Sequence, residues 1–132
     1  MTARTLHPEG WKPAKGYANG MMARGRMILT GGLIGWNADC EFETDDFVGQ
    51  VEQTLRNVVA VLAEGGARPE HLVRLTWYVT SKAEYLSDLK GLGRVYKEII
   101  GRHYPAMAVV QVVALIEDRA KVEIEATAIV PE

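Results

Sequence analysis

Between Met107 and Leu115 every residue except Gln111 is apolar. Such a run, rich in β-branched valine, reads as a strand buried on both faces, because a half-exposed strand would alternate. One face can meet helices of the same chain. The other needs a cover that 132 residues have little left to supply, and a second copy is the economical source.

The strand after it, Ala120 to Val130, does alternate. Val122, Ile124, Ala126, Ala128 and Val130 point one way, and Lys121, Glu123, Glu125 and Thr127 the other. By spacing alone the carboxylates read as a solvated strand face rather than as a site.

Upstream, Phe47, Val51, Leu55, Val58 and Leu62 recur at helical spacing. Asp45 and Asp46 precede that stripe where carboxylates favour a helix start, and Gly65-Gly66 closes it. Leu72 to Thr80 reads as a strand. Ser81-Lys82-Ala83-Glu84 fits a capping box, and Tyr85, Leu89, Leu92, Tyr96 and Ile99 predict one helix behind it. Gly91 and Gly93 inside that helix point to close packing against a neighbour. Met27 to Thr30 reads as a strand, with Ala23 to Arg26 as a turn that makes residues from about Tyr17 its hairpin partner. Asn37 to Thr44 reads as loop.

The order is ββαβαββ: an α+β fold, a single mixed sheet with two helices on one face, in one domain spanning 1–132. The opposite face is left bare, so it must be polar or covered by a partner.

Other features bound the function. The formal net charge is −2 and the basic residues are scattered, so no nucleic-acid partner is indicated. Cys40 is the only cysteine, which rules out an internal disulfide and suits a reducing compartment. No signal peptide or membrane span is read, and a cytoplasmic location is expected. His7, His71 and His103 show no metal-ligand spacing, and no Lys-Ser/Thr follows Gly31-Gly32 and Gly35 to make a phosphate loop, so neither metal nor cofactor is expected. Cys40 has no activating neighbour in its polar loop. Trp36 either walls a pocket near Tyr17 or packs in the core.

Several segments together are similar to one known family. Tyr104-Pro105-Ala106-Met107, the apolar strand, and Glu123-Ile124-Glu125-Ala126-Thr127-Ala128 resemble the signature of the Rid (YjgF, reactive intermediate deaminase) family. Tyr17-Ala18-Asn19-Gly20 resembles its Gly-Pro-Tyr motif, Leu29-Thr30-Gly31-Gly32 its Thr-Ser-Gly segment, and Thr76-Trp77-Tyr78-Val79 its central Thr-x-x-Val strand. The resemblance covers nearly the whole chain. It implies a chorismate mutase-like fold, a homotrimer with a small-molecule pocket at each subunit boundary, and hydrolysis of reactive imines and enamines. It also implies roles. Glu125 matches the acid that positions or activates the hydrolytic water, Tyr17 the tyrosine lining the pocket, and Gly32 the glycine whose backbone approaches the substrate.

The departures from that pattern are specific. Met107 stands where catalytic members carry an arginine that grips the substrate carboxylate. Gly31 replaces a serine, Gly93 an asparagine, and Gly16 the proline before Tyr17. Each lost group is polar or shape-fixing, which implies a less polar pocket. Met107 is equally readable as a core methionine at the head of a buried strand.

Two functions fit. One is an imine or enamine deaminase that uses Glu125 and depends less on a substrate carboxylate. The other is a trimer on the same scaffold that binds an apolar or aromatic ligand, or a partner, without turnover. A ribonuclease reading fits the balanced charge least.

Overall fold

The computed structural model describes residues 3–132. Seven strands and three helices follow in the order β1 (Arg4–Leu6), β2 (Gly20–Met22), β3 (Arg26–Leu29), β4 (Leu33–Ile34), α1 (Phe47–Glu64), β5 (Leu72–Val79), α2 (Lys82–Ser87), α3 (Leu89–Ile99), β6 (Ala106–Gln111) and β7 (Val122–Val130). A 3₁₀ turn, Pro69–His71, leads into β5.

The main sheet runs β3–β7–β5–β6, with β4 also paired to β7. β7 is antiparallel to β3, β4 and β5, while β5 and β6 are parallel. A single bridge, Ala18 to Ala106, carries the segment before β2 to the outer edge of β6.

The core lies between this sheet and the helices. Val51, Leu55, Val58 and Leu62 of α1 meet Leu75, Trp77 and Val79 of β5 and Val122, Ile124, Ala126 and Ala128 of β7. Burying each large apolar side chain contributes about 1.5–3 kcal/mol. The alternation of β7 thus has the reading given above, with Glu123, Glu125 and Thr127 on the face away from the helices.

Two polar side chains, the buried Gln50 and the half-buried Asn57, tie loops to α1. The Gln50 amide donates to the Thr44 and Arg119 carbonyls at 3.1 and 2.9 Å and accepts from the Lys121 N–H at 2.8 Å. Asn57 donates to the carbonyls of Ile34 and Trp36 at 2.9 and 2.8 Å. The helix ends as expected: Asp46 caps Gly49 N–H, and Gly66, at φ +82°, turns the chain away.

Four expectations are corrected. The hairpin of β2 with β3 does not form; β2 pairs with β1, and β3 with β7. Ile28 packs against Gly65 beyond the end of α1, and pairing opposite Ala128 puts it on the helix face.

The second helix is broken. Asp88 leaves helical geometry (φ −145°, ψ 68°) and its carboxylate caps Gly91 N–H at 2.9 Å, starting α3. A Cβ at Gly91 would strike that carboxylate, whereas one at Gly93 would meet nothing within 4 Å. Gly91 therefore makes room for its own cap rather than for a neighbouring element.

The capping box is half made. Ser81 accepts from Glu84 N–H at 3.1 Å, but the Glu84 carboxylate turns to Lys121 Nζ at 3.0 Å.

Finally, β6 stops at Gln111 rather than Leu115, because its partner β5 ends at Val79. Val113 and Ile116 beyond it are fully exposed.

Candidate active site

The register of the sheet sorts the site residues onto two faces. Met107 lies opposite Leu75, and Val109 opposite Trp77, so both point to the helices and pack on the core. Glu125 lies opposite Thr76, and Glu123 opposite Tyr78, on the other face.

On the helix side, Met107 lines a cleft of about 320 Å³ with Lys15, Gly16, Trp77, Leu92, Gly93 and Tyr96 among its other walls. Tyr96 and Tyr104 stack with centroids 5.3 Å apart at 10°, and Tyr85 meets Trp77 edge-on at 6.2 Å. Ring pairs of this kind make firm apolar walls. The Tyr96 hydroxyl donates to the His103 carbonyl at 2.6 Å. Burial, with a smaller contribution from Tyr104, pushes its phenol well above the usual range. Burial also pushes Tyr85 up. Among the described residues lining the cleft, Lys15 alone is charged. The Trp77 indole N–H is buried without a hydrogen-bond partner. An apolar or aromatic group fits such walls better than a carboxylate does.

Tyr17 sits at the rim of the same edge. Ala18 N–H, next to it, donates to the Pro105 carbonyl at 3.0 Å, which holds Tyr17 near the start of β6 with its ring exposed.

On the opposite face, the Tyr78 hydroxyl donates to Glu125 Oε1 at 2.7 Å. That hydrogen bond, then burial, then the negative charges of Glu125 and Glu123 raise the Tyr78 phenol above its ordinary value. Gly32 lies against the Glu123 carboxylate so closely that a Cβ there would overlap it. Thr30, one residue before the glycine pair, accepts from Ala126 N–H at 3.0 Å and donates to the Gly31 carbonyl at 2.8 Å. That bracing fixes Gly31 and Gly32 beside the carboxylate pair.

The structure therefore places Gly32 against the Glu123 carboxylate of β7, and Tyr17 near the start of β6 where Met107 lies, but it does not bring the two groups together. Tyr78 escaped the sequence reading as a site residue. The signal was there, since a strand residue at the same parity as Thr76 shares the face of Glu125. Trp36 does not wall the Met107 cleft. It packs against Phe42 at 5.9 Å, in a hollow shared with Cys40 and Arg119. Among the described residues no group of three or more His, Cys, Asp or Glu side chains is placed to hold a metal ion, and no helix is long and apolar enough to cross a membrane.

The sequence and the fold are similar to those of known proteins. The model of the family described as Endoribonuclease L-PSP matches residues 9–130. Protein DfrA of Myxococcus xanthus is 38% identical over 110 residues, covering 80% of this chain and 77% of that protein. The 2-iminobutanoate/2-iminopropanoate deaminase of Escherichia coli (strain K12) is 32% identical over 108 residues, covering 80% of each. Among solved structures, the conserved Rid-family protein YyfB of Yersinia pestis superposes with a TM-score of 0.87 at 30% identity, covering 98% of this chain and 100% of that one. E. coli TdcF with bound serine gives 0.68 at 29% identity, covering 96% and 98%.

Proposed function

Since the chain belongs to the Rid (YjgF) family, we propose that it hydrolyses imines or enamines, with Glu125 as its catalytic carboxylate and with little dependence on a substrate carboxylate. The observation that carries this reading is Glu125 itself. It is a half-buried carboxylate on the bare face, held by one oxygen at Tyr78, with the glycine pair on the neighbouring chain segment.

The chemistry asks for little else. A water held by the free Glu125 oxygen gives up a proton as its own oxygen attacks the electrophilic carbon of the C=N bond. The C=N π electrons move to nitrogen, leaving a carbinolamine. Glu125 then returns its proton to the carbinolamine nitrogen, the C–N bond breaks to expel ammonia, and the hydroxyl proton lost as the carbonyl forms converts the ammonia to ammonium. Overall, one iminium and one water give one carbonyl and one ammonium.

The substrate pocket needs both halves of the site. We place it between two copies, with the Met107 cleft of one chain facing Glu125 and Gly32 of the next, in a homotrimer. Exposed Met27, Leu29 and Val110 on the bare face support such a cover. Relatives support the class of substrate: one is named for two imino acids, and another was solved with serine. Met107 in place of arginine, among aromatic walls, shifts preference toward apolar or aromatic imines.

The same apolar cleft favours a second reading, a trimer that binds an aromatic or apolar ligand without turnover. Ammonia release from imines generated in situ, compared between wild type and Glu125→Gln, separates the two. Equal rates in both proteins, at the level of buffer, leave only the binding reading.

A further inference from the structure

We infer that Tyr78 is a positioning residue for Glu125: its hydroxyl holds one carboxylate oxygen and thereby fixes where the other presents water. This rests on the proposed hydrolysis and extends it to a residue on the central strand.

The geometry is local and specific. Glu125 is directly opposite Thr76, so Tyr78 is its diagonal neighbour across the β5–β7 ladder. A diagonal pair is within reach only of a long side chain, and the tyrosine ring spans the gap. Its 2.7 Å hydrogen bond is charge-assisted. An unheld glutamate samples several rotamers, whereas an activated water must be held about 3–3.5 Å from its reacting carbon and aligned with it. A phenylalanine at 78 would keep the ring and its packing while releasing the carboxylate.

The other groups facing the Tyr78 hydroxyl are few. On β7 they are Glu123 and Glu125, on β5 the charged residue of this face is Arg74, opposite Thr127, and on β6 Ala108 and Val110 do not titrate. Lys121, further along β7, is engaged by Glu84.

The test is Tyr78→Phe beside Glu125→Gln and wild type, assayed for ammonia release from imines generated in situ from leucine or phenylalanine. Tyr78→Phe is expected to lower kcat about tenfold with KM and melting temperature nearly unchanged. Unaltered kcat, with Glu125→Gln inactive, overturns the role of Tyr78 and leaves the proposed reaction standing. No turnover by wild type on any imine overturns both. A second measurement needs no activity. In a spectrophotometric titration of the tyrosines, Glu125→Gln should move the Tyr78 ionisation downward, because the donor loses its anionic acceptor. An unmoved ionisation shows that the pair is not formed in solution and sinks the inference, whether or not Tyr78→Phe folds.

Discussion

Met107 and Glu125 lie on opposite faces of the sheet, with β5 between their strands. Neighbouring strands are about 4.8 Å apart, so some 10 Å of sheet and a change of face separate the two backbones. No small ligand can touch both within one chain. If the two residues serve one substrate, a second copy must bring one of them. The doubly apolar strand makes the same demand from packing alone, since β6 is an edge strand with Val110 exposed and Val113 and Ile116 fully exposed beyond it.

We therefore expect a homotrimer at micromolar concentration in sedimentation velocity. A charge at Val110 (Val110→Asp) should shift the population toward monomer while leaving the circular dichroism spectrum in place. Activity should fall with the trimer, because monomers hold only half-sites. A clean wild-type monomer with full activity would refute the shared pocket.

Glu125→Gln should abolish imine hydrolysis, and its melting temperature should stay within a few degrees of wild type. The amide keeps the shape and can still accept from Tyr78, but it cannot take a proton from water. A large loss of stability with activity retained would assign Glu125 to the fold instead.

The sequence carried the architecture because periodicity did. The α1 stripe and the alternation of β7 each report burial directly. What it hid were decisions made by single hydrogen bonds and by ladder length. Asp88 breaks a helix whose apolar stripe runs on unbroken, because a carboxylate capping Gly91 is invisible to hydrophobic periodicity. Val112 to Leu115 looked like strand and were not, since strand length depends on where the partner, β5, stops. For the candidate site, the face of a residue was legible and the arrangement was not. Parity along β7 placed Glu125 on the bare face, and the facing of Met107 depended on its register with Leu75, which no local pattern encodes.

Alkaline pH should weaken the fold through its buried phenols. An unfolded tyrosine ionises near pH 10, while burial holds Tyr96 protonated well above that value in the folded chain. Its contribution is therefore whole below about pH 10 and is lost as pH climbs toward the folded value. Tyr85 shifts in the same direction. Urea midpoints measured from pH 7 to 12 should fall steeply at the upper end, and Tyr96→Phe should flatten that fall. At pH 7 the variant should lose about 1 kcal/mol with its hydrogen bond to the His103 carbonyl. Parallel curves for the two proteins would remove Tyr96 as the cause.

The most discriminating substitution is Met107→Arg. Wild type should hydrolyse small carboxylate-bearing imines, such as those generated from serine, poorly. A guanidinium at 107 can make two charge-assisted hydrogen bonds to one carboxylate, each contributing about 1.5–3 kcal/mol, so kcat/KM on these imines should rise about tenfold or more. Full recovery is not expected. Gly31 and Gly93 supply no side-chain polar contact, and Lys15 on the same cleft opposes a second positive charge. The guanidinium also enters a wall formed by Trp77 and Leu92, so stability should drop by about 1–3 kcal/mol. The informative readout is the ratio of rates on serine-derived and phenylalanine-derived imines. A rise in that ratio identifies position 107 as the determinant of substrate charge. A ratio unchanged from wild type, in a folded trimer, would show that specificity is set by the aromatic walls.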